Sequence, residues 1–225
     1  MKYDLTIIVP VKNEEKNIGL LIKEIEEKII NIDKLQLYFV DDGSDDKSWS
    51  IIKSLRFHNT NHKISGIKLN RNYGKDLALY AALDKINSKY FVFYDCDMQF
   101  DVDYLNRMYS IIKKGYVPLI QGKKNKNDIK VTSKIFYKLF NYLSGFNFDG
   151  DTYLKMFDEN IKNKILQHKE KNLFIRGIFK LLALRSEDIE VNVQNRKFGR
   201  SKYNFFKLTS LGINAITSFS NIPLR

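Results

Sequence analysis

The stretch Tyr90-Phe-Val-Phe-Tyr-Asp95-Cys-Asp97-Met-Gln99 is the most informative part of this chain for its fold. Its apolar and aromatic half is typical of a buried strand, and two aspartates close it at spacing i, i+2. In an open α/β sheet, ligands bind at the carboxyl ends of the strands, where these acids fall. Their hard oxygens suit Mg²⁺ or Mn²⁺ shared with phosphates. The pattern alone also fits a solvated acidic turn, since Asp101-Val-Asp103 and Asp149-Gly-Asp151 repeat it.

Three more β runs precede this one, and polar residues and helical patterns follow them. The strands are predicted at Leu5–Val9, Leu35–Val40 and Ile64–Leu69, with the fourth ending at Asp95. Helices are predicted after Asn13 and after Lys75 because apolar residues recur there at helical spacing. Alternating strands and helices favour right-handed crossovers, so we expect an α/β fold with a mainly parallel sheet flanked by helices.

The predicted strands deliver polar clusters to one edge of the sheet. Each cluster alone is compatible with turn chemistry, but four in succession favour a nucleotide-sized site. No Gly-x-Gly-x-x-Gly motif follows the first strand and no Walker lysine motif exists, which argues against a dinucleotide dehydrogenase and a P-loop enzyme. The clusters are Asn13/Glu14, Asp41/Asp42, Asn72/Lys75 and Asp95/Asp97.

Composition limits the class of protein. With 225 residues, 44% hydrophobic and 28% charged, the chain is globular and long enough for one substantial core. Its single cysteine, Cys96, excludes an internal disulfide and fits a reducing compartment; between two aspartates it is a poor nucleophile. We expect no signal peptide, because Met1-Lys-Tyr-Asp runs straight into a predicted strand. We expect no membrane-spanning segment, because no apolar stretch reaches about 18 residues.

The formal net charge of +12 calls for an anionic partner or a solvated surface. Lysines crowd the segment from Lys113 to Lys138, in which Asp128 is the only acid. A nucleic-acid surface, an anionic membrane surface and simple solvation all fit a lysine-rich protein. The clustering favours an anionic ligand or surface on that side of the molecule.

Beyond residue 121 the strand–helix alternation loosens. We expect helices at 131–143 and 173–184, a loop at 147–151 and a strand at 189–193. A basic loop at 196–203 has glycine and serine whose backbone N–H groups suit phosphate, although a solvated basic turn is the alternative. Residues 204–220 carry an apolar face that suits either a core helix or an interfacial one.

Several motifs, in order along nearly the whole chain, resemble family 2 glycosyltransferases of the GT-A fold. The branch of dolichyl-phosphate mannose synthases and bacterial polyprenyl-phosphate glycosyltransferases is the most similar. The matching pieces are Ile8-Val-Pro10-Val-Lys-Asn13-Glu14, Val40-Asp-Asp42-Gly-Ser44, Arg71-Asn-Tyr-Gly74-Lys75, Asp95-Cys-Asp97-Met-Gln99, Gly150-Asp151, Arg176-Gly177, Arg196-x-x-Gly199-x-Ser201-Lys202-Tyr203 and Ser218-Phe-Ser220-x-x-Pro223-Leu-Arg225.

The resemblance implies roles for residues that match the family's motifs. Asp95, Asp97 and Gln99 would hold Mg²⁺ or Mn²⁺ against the donor's diphosphate. Asp97, Asp151 and Arg196 would take part in the reaction. The nucleotide would be bound by Pro10, Glu14, Val40, Asp42, Lys75, Asp95 and Cys96, and the donor's or acceptor's phosphate by Lys123, Arg196, Ser201 and Lys202.

The chain departs from the family pattern at several positions. Lys12 stands where an aromatic residue is common, and Thr152-Tyr153 follows Asp151 where the family has Phe-Arg. Where relatives often carry arginines after the fifth strand, this chain has Lys123, Lys124 and Lys126. These differences leave the predicted metal site intact, and they leave the identities of the donor sugar and of the acceptor open.

The resemblance implies an inverting transfer from a nucleotide sugar, with UDP favoured over GDP, to a polyprenyl phosphate carrier. It implies a catalytic domain at 1–203 and a juxtamembrane helix at 204–225, with membrane helices to follow. The protein would lie at the cytoplasmic face of an anionic membrane, without nucleic acid and with assembly into homo-oligomers as an option. The alternatives are a soluble family 2 transferase acting on a glycan hydroxyl and a basic nucleic-acid-binding domain.

The chemistry of the acceptor decides whether a general base is needed. A lipid phosphate is already largely ionised near pH 7, so it needs only positioning by cations such as Arg196 and Lys202. A hydroxyl acceptor would need a base, for which Asp151 is the candidate. We expect a single in-line displacement with no covalent enzyme intermediate.

Overall fold

Seven strands form one sheet in the computed structural model, which describes residues 2–125, 141–142, 145–169, 173–182 and 184–197. The strands are β1 (Tyr3–Val11), β2 (Leu35–Asp41), β3 (Lys63–Lys68), β4 (Ser88–Phe93), β5 (Leu119–Lys124), β6 (Asp151–Asp158) and β7 (Ser186–Val191). The helices are α1 (Glu15–Lys28), α2 (Ser48–Ser54), α3 (Lys75–Leu83), α4 (Asp103–Ile112), α5 (Glu159–Gln167) and α6 (Ile175–Leu181).

The strand order is β3-β2-β1-β4-β6-β5-β7. Strands β3, β2, β1 and β4 pair in parallel, and β7 pairs in parallel with β5. Strand β6 lies antiparallel between β4 and β5. The prediction of a mainly parallel α/β sheet is therefore confirmed. The sequence did not indicate the one reversed strand, β6.

The sheet separates two apolar layers because successive strand residues point to opposite faces. Ile7 of β1 belongs to the layer that packs under α1 and α4, and its neighbour Ile8 belongs to the layer under α3, α5 and α6. Both side chains are fully buried. Removing a side chain of this kind from water stabilises a fold by roughly 1.5–3 kcal/mol. Apolar burial on both faces leaves the strand ends as the place for a polar site.

Several predicted bounds need correction. Strand β4 ends at Phe93, so Asp95 and Asp97 lie in the loop after it and not on the strand. Asp151 is the first residue of β6 and not part of a loop, because its backbone pairs with Lys123 of β5. Helix α6 is shorter than predicted, and β7 begins at Ser186.

Strand β6 and helix α5 were not predicted at all. Most of the helix predicted at 131–143 and all of the C-terminal segment 204–225 lie outside the described residues. Among the residues that are described, no helix has the length and apolar character needed to cross a membrane.

Candidate active site

The candidate site lies at the sheet edge where β1, β2 and β4 end. Because β6 runs antiparallel to β4, its first residue, Asp151, reaches this same edge. The edge thus brings the loop that holds Asp95 and Asp97 near the start of β6. The predicted clustering of polar groups at the carboxyl ends of the parallel strands agrees with this placement.

Asp42 joins two loops at the nucleotide side of the edge. Its Oδ1 accepts a hydrogen bond from the backbone N–H of Tyr73 (2.7 Å), and its Oδ2 accepts one from Gly74 (2.9 Å). Gly74 adopts φ +93°, a conformation that favours glycine, and α3 begins at the next residue. Asp42 therefore fixes the loop from which Lys75 extends towards the site.

The other predicted nucleotide-binding residues lie around Asp42. Pro10 and Val40 are paired across β1 and β2; Val40 is fully buried and Pro10 is half-buried. The backbone N–H of Glu14 donates to Ser48 Oγ (2.9 Å), and its carboxylate accepts from Asn17 Nδ2 (2.6 Å). Cys96 is buried among core residues, so its thiol belongs to the interior.

The two aspartates after β4 each face a cation. Lys75 Nζ lies 2.5 Å from Asp95 Oδ1, and Arg196 Nη2 lies 3.2 Å from Asp97 Oδ2. Burial raises the pKa of the Asp97 carboxyl, and the neighbouring Asp95 charge raises it further. Two carboxylates in this environment are stabilised by positive charge, whether it comes from side chains or from a metal ion.

The donor set after β4 fits a hard divalent cation. Asp95 and Asp97 contribute carboxylate oxygens, and Gln99 follows them, with its backbone N–H donating to Asp97 Oδ1 (3.3 Å). No group of three His, Cys, Asp or Glu side chains suited to a metal exists in the described residues. A Mg²⁺ or Mn²⁺ ion held here would therefore complete its shell with substrate phosphate and water.

Asp151 is enclosed by cations, which sequence reasoning did not anticipate. Its side chain is 0% exposed, and Lys155 Nζ lies 2.6 Å from Oδ1. Arg176 Nη1 lies 3.8 Å from Oδ2, and Lys180 Nζ lies 3.9 Å from Oδ1. Lys155 also donates to Gln121 Oε1 (2.8 Å), and its burial lowers the pKa of its ammonium group to about 8.

Tyr153 connects the cluster of cations around Asp151 to the acid pair formed by Asp95 and Asp97. Lys75 Nζ lies 3.8 Å from the centre of the Tyr153 ring, and the Arg176 guanidinium lies 5.0 Å from it. The Tyr153 hydroxyl donates to Asp76 Oδ2 (2.9 Å), and Asp76 Oδ1 accepts from the Ile175 backbone at the start of α6 (3.0 Å). Burial raises the pKa of the Asp76 carboxyl.

The predicted phosphate ligands are only partly covered by the structure. Arg196 reaches Asp97, as described above, whereas Lys123 Nζ pairs with Asp188 Oδ2 at 2.5 Å on the neighbouring strand. Ser201 and Lys202 lie outside the described residues. Within the described residues, the basic loop therefore contacts the Asp95/Asp97 pair through Arg196.

The comparisons with known proteins identify the family and the fold of this chain. The family profile of glycosyl transferase family 2 matches residues 6–189, so the chain belongs to that family. The GT-A fold expected from the resemblance is confirmed by solved structures of similar architecture. The family assignment favours an enzyme over the basic nucleic-acid-binding domain that the composition had left open.

Among curated proteins, the chain is 30% identical to an undecaprenyl-phosphate 4-deoxy-4-formamido-L-arabinose transferase of Photorhabdus laumondii, over 98% of this chain and 69% of that protein. It is 28% identical to a bactoprenol glucosyl transferase of Shigella phage SfX, over 98% of this chain and 74% of that protein. The chain thus spans roughly seven tenths of the length of these relatives.

Among solved structures, a mannosyltransferase from Pyrobaculum calidifontis, in complex with GDP-Man and Mn²⁺, aligns with a TM-score of 0.63 and 19% identity over 88% of this chain. Residues 1–349 of S. aureus TarS, in complex with UDP, align with a TM-score of 0.59 and 17% identity over 83% of this chain. The chain covers 59% and 57% of those chains, less than two thirds, and at these identities the likeness concerns the fold.

Proposed function

We propose that this protein transfers a sugar from a nucleotide sugar to the phosphate of a polyprenyl phosphate lipid. The observation that carries the proposal is the similarity to named undecaprenyl-phosphate and bactoprenol transferases over 98% of the chain. The acid pair after β4, next to Lys75 and Arg196, supports it, because a sugar–diphosphate donor brings negative charge that needs cations.

Donor binding is assigned to the edge around Asp42. The strand ends that carry Pro10 and Val40 would border the base and ribose, and Asp42 would keep the loop of Tyr73 and Gly74 in place. Asp95 and Asp97, with Gln99, would hold a Mg²⁺ or Mn²⁺ ion at the diphosphate. When bound, such an ion neutralises charge on the departing nucleotide. Lys75 and Arg196 would contribute further positive charge at the same place.

An acceptor phosphate needs no strong base, since it is largely ionised near pH 7. The enzyme's task is then to place one phosphate oxygen in line with the anomeric carbon and the departing diphosphate. We propose a single displacement that inverts the anomeric centre. Trapping a glycosyl-enzyme adduct would contradict this mechanism.

The test is transfer of radiolabelled sugar to undecaprenyl phosphate from a panel of UDP- and GDP-sugars, with Mn²⁺ or Mg²⁺ present or chelated. We expect one donor to be used, and chelation to abolish transfer reversibly. The variant Asp97→Asn should lose at least about a hundredfold in kcat/KM, because removal of a charged ligand weakens metal and diphosphate binding together.

A matched control is Asp103→Asn, which changes an aspartate on the surface helix α4 and should leave transfer unchanged. Full activity under chelation would overturn the metal assignment. Transfer to a glycan hydroxyl, with none to the lipid phosphate, would overturn the acceptor assignment and favour the soluble family 2 alternative.

A further inference from the structure

The buried cluster around Asp151 has a composition that the family assignment does not explain. Three cationic side chains, from Lys155, Arg176 and Lys180, lie within 4 Å of one carboxylate. Lys155 approaches from the same strand, and the other two approach from α6.

The position of Asp151 does not suit a general base. A base must come within about 3 Å of the proton that it removes, directly or through one water. The Asp151 side chain is 0% exposed, and Lys155 already donates to Oδ1 at 2.6 Å. With a phosphate acceptor no base is required, so this carboxylate is available for a different role.

Arg176 and Lys180 stand one turn apart on α6, so both side chains emerge from the same face of the helix. They lie 3.8 and 3.9 Å from the Asp151 carboxylate, which is attraction without a hydrogen bond. Within the described residues the Lys180 ammonium makes no hydrogen bond, and its side chain is 19% exposed. Its N–H donors can therefore reach a ligand at the surface of the cluster.

The local charge balance points to an anion. Among the described residues, the Asp151 carboxylate lies within 4 Å of all three cations, and Asp76 interacts electrostatically with Arg176. Surplus positive charge in a half-buried place is unfavourable unless an anion compensates it. The aromatic rings of Tyr153 and Phe174 flank the Arg176 guanidinium at 5.0 and 5.5 Å and hold its orientation.

We propose that Arg176 and Lys180 bind the phosphate of the acceptor. Asp151 positions these two side chains, and Lys155 holds Asp151 from the interior. This inference rests on the proposed function. The proposed phosphate site lies close to the proposed donor site, because the Tyr153 ring contacts both Arg176 and Lys75, and Lys75 pairs with Asp95. An anion on α6 would thus lie beside the acids assigned to the donor.

The decisive variant is Lys180→Met, which keeps the length of the side chain and removes its charge. We expect the KM for undecaprenyl phosphate to rise about tenfold or more, as for the loss of a charge-assisted hydrogen bond. The KM for the nucleotide sugar should stay within about twofold of the wild-type value, the change of an ordinary surface substitution. Lys180→Arg should retain most of the acceptor affinity, since it restores the positive charge.

The matched control is Lys164→Met on the exposed side of α5, which should change neither KM. A second measurement uses the wild-type protein. Farnesyl phosphate should protect Lys180, and not Lys164, from acetylation by acetic anhydride, as read by mass spectrometry. This footprint tests the site even if the Lys180→Met protein folds poorly.

The outcomes separate this inference from the proposed function. If wild-type protein does not glycosylate undecaprenyl phosphate, the proposed function fails. If the wild type is active but Lys180→Met leaves the acceptor KM unchanged and farnesyl phosphate gives no protection, the acceptor site is wrong. A rise confined to the donor's KM would also overturn it, because the pair would then bind the nucleotide's phosphates.

Discussion

Three aspartates of this chain have different roles, which depend on the groups that surround each carboxylate. Asp42 uses both oxygens to accept backbone N–H groups, so it organises a loop. Asp97 faces Arg196 and has a raised pKa, as expected for a buried acid beside another acid. Asp151 is sealed among cations. The sequence pattern Asp-x-Asp, which includes two of these three, does not distinguish them.

Lys155 makes a pH-dependent contribution to stability that can be measured. Burial lowers the pKa of its ammonium from 10.5 to about 8 in the folded protein. Between these values the unfolded chain binds more protons than the folded one, so the Lys155 contribution to the free energy of unfolding rises with pH. In Lys155→Met this rise should be absent, while other groups titrate as in the wild type.

The measurement is urea unfolding of both proteins from pH 7.5 to 10.5, with the difference between their free energies of unfolding plotted against pH. Taking the difference removes contributions shared by both proteins. Lys162→Met provides a comparison, because burial also lowers the pKa of this half-buried lysine, but no acid in the described part of the chain lies as close to it as Asp151 lies to Lys155. Identical pH dependence of wild type and Lys155→Met would refute the buried-lysine interpretation.

At the scale of elements, the site depends on how closely two loops approach. Gly43, after β2, has φ +70°, and a Cβ there would lie 2.6 Å from the Arg71 carbonyl carbon and 2.9 Å from the Asn72 nitrogen. Those backbone atoms belong to the loop that Asp42 holds through Tyr73 and Gly74. A side chain at Gly43 would therefore push apart the two loops that border the proposed nucleotide pocket.

Gly43→Ala should be more damaging than Gly115→Ala. Gly115 also has positive φ (+75°), but no atom lies within 4 Å of a Cβ built there. Both variants bear the backbone cost of about 1 kcal/mol, and the clash adds about 1–3 kcal/mol at Gly43 alone. Urea unfolding gives the two stabilities, and the donor's KM should rise only in Gly43→Ala. Equal losses in both variants would show that the loops do not depend on this contact.

The elements that the sequence predicted well are those whose signals are local. The run from Tyr90 to Phe93 is apolar, and a buried parallel strand requires that. Strand β6 escaped prediction because Lys155 interrupts its apolar pattern, although that lysine is itself fully buried. Its partners, Asp151 and Gln121, come from the same strand and from β5, and single-sequence patterns do not reveal such a pairing.

The same reasoning explains what was predictable in the site. Asp42, Lys75 and Asp95 were found because each follows a predicted strand, and parallel strands end at one edge. Arg176 was noticed only as part of a family motif, and Lys180 was not noticed at all. Both reach the site from α6, which comes after the antiparallel strand β6 and helix α5, so their approach depends on tertiary packing.

At the scale of the whole molecule, the proposed donor and acceptor sites lie on different halves of the sheet. The parallel strands β3, β2, β1 and β4 form the side assigned to the donor. The strands β6, β5 and β7, with α6, form the side where cations collect around Asp151. The boundary falls between β4 and β6, where strand direction first reverses on going from β3 towards β7. At this boundary Lys75 contacts both Asp95 and Tyr153.

The net charge of +12 gives a final prediction, which concerns membrane binding by the whole chain. Lysines near an anionic bilayer each contribute about 1 kcal/mol of attraction, and salt screens that attraction beyond about 10 Å at 0.1 M. We expect the protein to float with liposomes that contain anionic lipid, and to dissociate as salt rises towards 0.5 M. Replacing the exposed Lys113 and Lys114 by Glu should weaken flotation. The matched control replaces Lys53 and Lys63, which lie on the β3 side of the sheet, by Glu. Failure to bind anionic liposomes at any salt concentration, or equal weakening by both reversals, would contradict an electrostatic surface near Lys113.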